Sequence, residues 1–383
     1  MPFSNIPQYG VGMIGYGFMG QMHSYAYKSI PHIYNPPPAN IDIVGVSAKT
    51  EKSRQLAINQ SGFKVAVEDY KELLSRSDIQ IINICTPNYL HYEQASEAIK
   101  AGKHVYCEKP LAVTVQEAQN LAMLAKNSNK VCQITFHNRF IPAIMRAKQL
   151  IDDGRIGNIV SFRGYYLHSG YLDTEKPYSW RLDKSQSGGG ALYDLGSHLI
   201  DLMRYLIGDF ISISASLKTF VDSRPISIES SERKTVEVDD ICILLLKHQN
   251  GSIGTIETSR IATGTEDGLR IEIHGTKGAI KFDLMNPNYL EFYDDTNPSN
   301  PIGGEKGFKK ITCACKYPSP ASLPSPKAPV GWIQFHIASL YDFINNIAKN
   351  KPASVSFEDG LAVQKIMNAA QVSSKDGSKW IEI

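Results

Sequence analysis

Val11-Gly12-Met13-Ile14-Gly15-Tyr16-Gly17-Phe18-Met19-Gly20 joins a short apolar run to a glycine-rich turn that opens a helical pattern. In that context glycines let backbone N–H groups approach a pyrophosphate at the positive end of a helix, so Gly15, Gly17, Phe18, Met19 and Gly20 are expected to contact a dinucleotide. The plainer alternative is a tight strand-to-helix turn that holds no nucleotide.

The residues that follow favour the first reading. Apolar runs at Ile41–Ser47, Ile79–Ile84, His104–Cys107 and Val131–Thr135 alternate with amphipathic stretches such as Tyr89–Ala101 and Val115–Asn127. Near-continuous apolar strands separated by helices predict a doubly wound parallel sheet, α/β in class, with its ligand beyond the carboxyl ends of the strands. After Pro142 the rhythm changes: a helix to about Asp153, a strand at Asn158–Tyr166, and a helix from Gly190 to Leu206. Strands at Ile211–Val221, Val236–Lys247, Ser252–Arg260, Leu269–His274 and Ala279–Asp283 then suggest an antiparallel meander, in an α+β domain with a large, open, mostly antiparallel sheet. Asn297–Val330 is rich in Pro, Gly, Ser and Lys and reads as a long loop or lid. Helices near Trp332–Lys349 and Glu358–Ser374 and a short strand at Trp380–Ile383 close the chain. The expected division is a dinucleotide-binding domain over 1–137 and a substrate and oligomerisation domain over 138–383, with the C-terminal helices able to pack back on the first.

Length agrees, since 383 residues exceed what one core usually serves. Forty Lys and Arg against 38 Asp and Glu leave a formal charge of +2, which supplies no field for nucleic acid or an anionic membrane. No apolar run is long enough to span a bilayer and no secretion signal opens the chain, so the expected setting is cytoplasmic and the expected partner a small molecule. The six cysteines fall mostly in apolar strands, with a Cys313-x-Cys315 pair in the Pro-rich segment, and read as free thiols. The histidines show no metal-ligand spacing, so no catalytic metal is expected.

At the end of the second strand, Ser47-Ala48-Lys49-Thr50 offers no carboxylate to the adenosine ribose. Ala48 and Lys49 therefore tilt the choice between NAD and NADP slightly toward NADP, with Lys49 pairing the 2′-phosphate. Cys85-Thr86-Pro87-Asn88 turns the chain over the sheet's carboxyl edge beside the nicotinamide half, although Asn88 also suits the cap of a helix from Tyr89. Glu108-Lys109-Pro110 ends the next strand and projects Lys109 toward the same edge, suited to exchange a proton or donate a hydrogen bond to a substrate oxygen. Gly188-Gly189-Gly190 precedes Asp194 and His198, a carboxylate and an imidazole one helical turn apart. An imidazole, with its ordinary pKa of about 6.5, can take a hydroxyl proton while hydride leaves the same carbon. Asp201, one turn further on, is a second candidate to hold the ring. His137-Asn138-Arg139-Phe140 and Trp180-Arg181 are expected to line a cleft, His137, Trp180 and Arg181 toward substrate and Asn138 toward cofactor.

Taken together, the chain resembles the Gfo/Idh/MocA family of sugar and cyclitol dehydrogenases over nearly its whole length. The resemblance rests on the Gly15–Gly20 turn with His23-Ser24, Thr86-Pro87-Asn88 with His91, Glu108-Lys109-Pro110, Gly189 to His198, and Phe357-Glu358-Asp359-Gly360. His23-Ser24-x-Ala26-Tyr27, Pro31-His32 and Tyr178-Ser179-Trp180-Arg181-Leu182 are similar to the branch of inositol-type and levoglucosan-type dehydrogenases. The resemblance implies a Rossmann domain, a C-terminal sheet whose exposed face builds homodimers or homotetramers, and a catalytic set of Lys109, Asp194 and His198. It adds His91 and Glu108 to the expected cofactor contacts. Ala48 departs from the acidic ribose reader common in the family. The resulting expectation is NAD(P)-dependent oxidation of a secondary hydroxyl of a sugar, anhydrosugar or cyclitol. The alternatives are a sugar- or nucleotide-sensing regulator without turnover and a glycosidase that oxidises its substrate transiently.

Overall fold

The computed structural model describes residues 6–302, 304–314, 320 and 328–383. The chain divides into two compact units, Met1–Phe140 with Tyr317–Ala362, and Ile141–Lys316 with Val363–Ile383.

In the first unit the chain runs β1 (Gln8–Ile14), α1 (Phe18–Ile33), β2 (Asn40–Ser47), α2 (Glu51–Leu56), β3 (Val65–Val67), α3 (Lys71–Leu74), β4 (Ile81–Ile84), α4 (His91–Lys100), β5 (His104–Cys107), α5 (Val115–Lys126) and β6 (Cys132–Ile134). The six strands lie in the order β3-β2-β1-β4-β5-β6, all pairs parallel. This is the doubly wound order that reverses direction between β1 and β4, where such sheets open a crevice at their carboxyl ends. Strand β3 escapes the sequence reading because it is three residues long and only half-buried, leaving no apolar run to detect.

The helix Trp332–Ala348 belongs to this unit although it lies some two hundred residues downstream in the chain. Its Leu340, Phe343 and Ile344 are fully buried in one cluster with Val11, Met13, Tyr27, Ile30 and Tyr106. The division is therefore discontinuous: the sequence reading ran its second domain from 138 to 383 with the C-terminal helices able to pack back on the first, and this helix packs against α1.

The second unit contains α6 (Pro142–Asp152), β7 (Ile159–Leu167), α7 (Lys184–Ser187), α8 (Ser197–Ile207), β8 (Phe210–Lys218), β9 (Ser223–Pro225), β10 (Arg233–Thr235), β11 (Ile241–His248), β12 (Ile253–Ser259), β13 (Gly268–Gly275), β14 (Gly278–Asp283), β15 (Tyr289–Asp294), β16 (Lys309–Thr312) and β17 (Ile381–Glu382). With α9 for Trp332–Ala348, α10 (Phe357–Lys375) gives its first residues to one unit and the rest to the other. Nine strands form one sheet, ordered β16-β15-β14-β13-β7-β12-β11-β8-β17. It is mostly antiparallel, but no simple meander: β7 inserts between β12 and β13 and runs parallel to β12. Alternation along a strand reports the face it buries and not its neighbour, so this crossover has no signal in the sequence.

Helices α6 and α8 pack on one face of the sheet. The opposite face stays open, as the buried–exposed alternation along most of β11 and β12 records. The stretch expected as a loop over Asn297–Val330 includes edge strand β16, and Cys315 lies outside the described residues.

Candidate active site

In the first unit the candidate surface is the carboxyl edge of the parallel sheet. Gly15 takes φ +91°, and a Cβ there would stand 2.7 Å from the Cys85 carbonyl, so the turn after β1 lies directly on the end of β4. A Cβ on Gly20 would run into the Gly15 carbonyl, whereas around Gly17 there is open space. Gly17 also begins α1 with no side-chain cap and no acidic residue in the first turn. An uncapped, positively polarised helix end beneath an open glycine is chemically fitted to a pyrophosphate.

At the end of β2, Ala48 is buried and Lys49 exposed. Arg54 fills the space beside them, donating from Nη1 to the Ala48 and Lys49 carbonyls at 2.8 and 3.2 Å and from Nε and Nη2 to one Glu51 carboxylate oxygen at 3.1 and 2.8 Å. Glu68 lies 3.6 Å from the same guanidinium. The sequence reading missed this because Arg54 folds back from α2.

The Cys85–Asn88 segment leads into a 3-10 turn over Asn88–Leu90, and α4 starts only at His91, with no side-chain cap on either element. Asn88 is thus the first residue of the 3-10 turn, where the sequence reading had a helix from Tyr89. Thr86 Oγ1 donates to Gln94 Oε1 at 2.6 Å. His91 is fully buried, its ring nitrogens 2.8 Å from the Pro110 carbonyl and 2.9 Å from the Thr86 carbonyl. Its contacts are thus the two loops, which corrects the expectation that it touches the cofactor: burial and both bonds leave no ring atom exposed to a ligand.

Lys109 is partly exposed and Glu108 buried, with Glu108 Oε2 accepting from the Lys109 backbone N–H at 3.2 Å. Glu108 Oε1 lies 3.2 Å from His23 Nε2, while His23 Nδ1 faces Asn83 Nδ2 at 3.0 Å and Cys85 Sγ at 3.3 Å. Tyr27 donates to the same Asn83 at 3.2 Å. Burial works against a charge on His23, yet Cys85 and Glu108 together push its pKa up to about 10. Burial also raises the Cys85 thiol.

His137 stacks on His336 with ring centroids 3.8 Å apart, and Trp332 covers His336 at 4.4 Å. Burial holds His336 well below an ordinary imidazole, helped by His137, His23 and Lys109. His137 and Asn138 are themselves 6% and 2% exposed, so the two lie within this packed layer. Arg139 pairs with Asp359 at 3.0 Å, and Asp359 accepts from Ser356 N–H at 2.8 Å. A Cβ on Gly360 would press on Leu111 and Ile134. The Phe357-Glu358-Asp359-Gly360 motif is thus a structural lock on the His137–Phe140 turn.

The second unit carries a candidate surface of its own. Helix α8 does not start as a regular helix: Leu192–Gly196 is a π turn, and α-helical geometry begins at Ser197. The i, i+4 relation between Asp194 and His198 therefore spans a widened turn, of the kind that recurs at functional sites. The cause is a downstream carboxylate. Both Asp239 carboxylate oxygens accept from the start of this segment, Gly190 N–H and Leu192 N–H at 2.8 Å each, and a Cβ on Gly190 would collide with the Asp239 backbone. Burial raises the Asp239 pKa even though these two N–H groups and Arg260 favour its anion.

Asp194 is partly exposed and His198 buried. Tyr166 lies 6.3 Å from His198, ring to ring, and donates to Asp267 at 2.7 Å, while His168 Nε2 meets the same oxygen at 2.9 Å. Although burial opposes it, the bonds from His168 and Tyr166 hold the Asp267 carboxyl below its ordinary range. Tyr171, raised by burial and by Asp194, is flanked by Lys176 and Arg260 at 4.2 and 4.4 Å. The exposed Arg181 guanidinium lies 4.4 Å over the half-buried ring of Trp180. Tyr166, His168, Tyr171 and Asp267 were not singled out from sequence, because β7 meets β13 only through the crossover.

Residues 9–136 match the family model described as an oxidoreductase family with an NAD-binding Rossmann fold, and residues 144–281 match the GFO/IDH/MocA C-terminal domain. The chain belongs to the Gfo/Idh/MocA oxidoreductase family. Among its relatives, levoglucosan dehydrogenase of Pseudarthrobacter phenanthrenivorans is 35% identical, the match covering 97% of each chain. Glucose-6-phosphate 3-dehydrogenase of Bacillus subtilis is 28% identical over 93% of this chain and 94% of the relative. A levoglucosan dehydrogenase structure in complex with NADH and levoglucosan superposes with a TM-score of 0.91 at 34% identity, covering 98% of this chain and 99% of that one. An oxidoreductase domain protein from Kribbella flavida gives 0.93 at 37%, covering 99% and 100%. The Gfo/Idh/MocA chain carries no cluster of three or more His, Cys, Asp or Glu able to hold a metal, among the described residues. Within the same limit, none of its helices is long and apolar enough to cross a membrane.

Proposed function

We propose that this oxidoreductase oxidises a secondary hydroxyl of an anhydrosugar, pyranose or cyclitol, or reduces the matching ketone, with Lys109, Asp194 and His198 as its catalytic residues. The observation that carries this reading is the placement of Asp194 on the π turn and of His198 four residues on in α8, with Tyr166 beside His198 and Tyr171 near Asp194. Such a surface offers a base, a hydroxyl acceptor and aromatic faces to a sugar ring. When bound, the nicotinamide dinucleotide supplies the hydride acceptor. His198 removes the hydroxyl proton, Lys109 donates a hydrogen bond to the oxygen on which charge develops, and Asp194 orients the ring or the sugar. The 35% identity to a levoglucosan dehydrogenase supports anhydrosugars as the first compounds to try.

NAD is the cofactor we propose, against the slight tilt of the sequence toward NADP. Arg54 spends its donors on two carbonyls and on Glu51, and Glu51 and Glu68 would stand against a 2′-phosphate. NADH complexes of similar proteins agree with it. We further propose a cytoplasmic setting, which suits the thiols of Cys85, Cys107, Cys132 and Cys242, and a homodimer or homotetramer formed through the open face of the nine-stranded sheet.

The test is the absorbance of reduced nicotinamide while the protein is offered levoglucosan, aldopyranoses, glucose 6-phosphate and cyclitols with NAD⁺ or NADP⁺. Turnover of a small set of sugars with NAD⁺ is expected. Silence across the panel from protein that binds the dinucleotide would overturn the dehydrogenase reading.

A further inference from the structure

His91 is fully buried, and each of its ring nitrogens meets a backbone carbonyl: Nδ1 the Pro110 oxygen at 2.8 Å and Nε2 the Thr86 oxygen at 2.9 Å. A carbonyl oxygen only accepts. A neutral imidazole carries one N–H, so in either tautomer its bare nitrogen would face a second lone pair at less than 3 Å in a site closed to water. Only the imidazolium, with two N–H groups, satisfies both contacts, and charge-assisted hydrogen bonds are the stronger kind. We infer that His91 is a permanently protonated strut which ties the loop after β4 to the loop after β5, and so positions Lys109.

Two charged groups bear on the ring. Glu108, on the same loop as Lys109, favours the cation, and Lys109 opposes it. Burial weighs toward the neutral ring and lowers the His91 pKa, while the Pro110 and Thr86 carbonyls raise it. Geometry decides between them. A neutral ring would part from one carbonyl, whereas both bonds are at ordinary length.

The mechanical consequence concerns Lys109. Pro110 follows it directly, and Thr86 opens the segment that turns over the same edge of the sheet. One planar ring sets the spacing of both loops, and displacing a catalytic group by about 1 Å can cost up to about 10²-fold in rate. His91 thus acts through Lys109 as a positioning residue, touching neither cofactor nor substrate.

Nitrogen-15 NMR of the wild-type protein labelled at histidine reads the claim directly and needs no activity. Both ring nitrogens of His91 should be protonated at neutral pH, with the signals absent from His91→Gln; one unprotonated nitrogen overturns the inference. The second arm rests on the proposed role of Lys109. His91→Gln should lower kcat about tenfold or more, while sugar KM and dinucleotide Kd change little, and it should add almost nothing in a Lys109→Ala background. Independent, multiplying losses in the double variant would overturn the positioning role. Full activity of Lys109→Ala alone would instead fault the catalytic reading, leaving the NMR result to stand or fall by itself. If His91→Gln does not fold, His91→Asn serves in both arms.

Discussion

Lys109 and His198 are expected to fail differently from the residues around them. Lys109→Ala and His198→Ala should each lower kcat by roughly 10²–10⁴, the scale of a lost acid–base group, with dinucleotide affinity near that of the parent. Steady-state absorbance assays with a fluorescence titration of NADH check both halves, and retained turnover in the two variants would sink the assignment. Glu51 has its own prediction. Gln55 and Arg54 lower its pKa by hydrogen bonding, so it is an anion at neutral pH. The parent should use NAD⁺ at least about tenfold better than NADP⁺, and Glu51→Gln should narrow that ratio. An unchanged ratio would show that Glu51 plays no part in the choice. Lys109, Asp194 and His198 were put forward from the sequence because each sits in a local motif next to a glycine turn or strand end. The surroundings of His23, Arg54, Tyr171 and His336 were not legible, since they come from elements far apart in the chain or folded back upon it.

Among elements, β5 carries a titration that matters for stability. His104, its first residue, accepts from Val131 N–H at Nδ1 over 2.9 Å, a bond open only to a nitrogen without a proton. Burial, and then Lys130, lower its pKa to about 4. The folded pKa lies below the unfolded value of about 6.5, so the unfolded chain binds more protons between these limits. Stability is then fully retained above about pH 6.5 and lost as pH falls toward 4, by at most about 3 kcal/mol. Urea unfolding at pH 7 and pH 4.5 should show the parent losing more than His104→Asn, whose amide does not titrate; parallel losses would refute it. The π turn at Leu192–Gly196 had no such visibility in the sequence. Its cause is an aspartate some fifty residues downstream that ties two N–H groups at the helix start, and periodicity cannot register a partner so distant. Most strands of the second sheet were legible from alternation, but β15, β16 and the insertion of β7 among them were not.

For the molecule as a whole, the open face of the nine-stranded sheet bears on assembly. Ile243, Leu245 and Ile253 are 51%, 36% and 44% exposed there, on neighbouring strands whose register places Thr255 beside Leu245 and Ser161 beside Ile253. Apolar side chains gathered on a broad sheet face mark a surface for another protein. Ile243→Arg with Leu245→Arg should convert the proposed homo-oligomer to monomer in sedimentation velocity, with the far-UV circular dichroism unchanged. A parent that sediments as a monomer would remove the proposal. The discontinuous first unit has a different consequence, one for heredity and engineering. Leu340, Phe343 and Ile344 complete a core begun by Val11 and Tyr27, so the dinucleotide module is encoded in two separated stretches of the gene. A single crossover near codon 140 would part those stretches, pairing half a core with a foreign complement. Recombination that exchanges cofactor modules between such chains must therefore cut three times, and a tail truncated before Trp332 strips the front of the chain rather than its end.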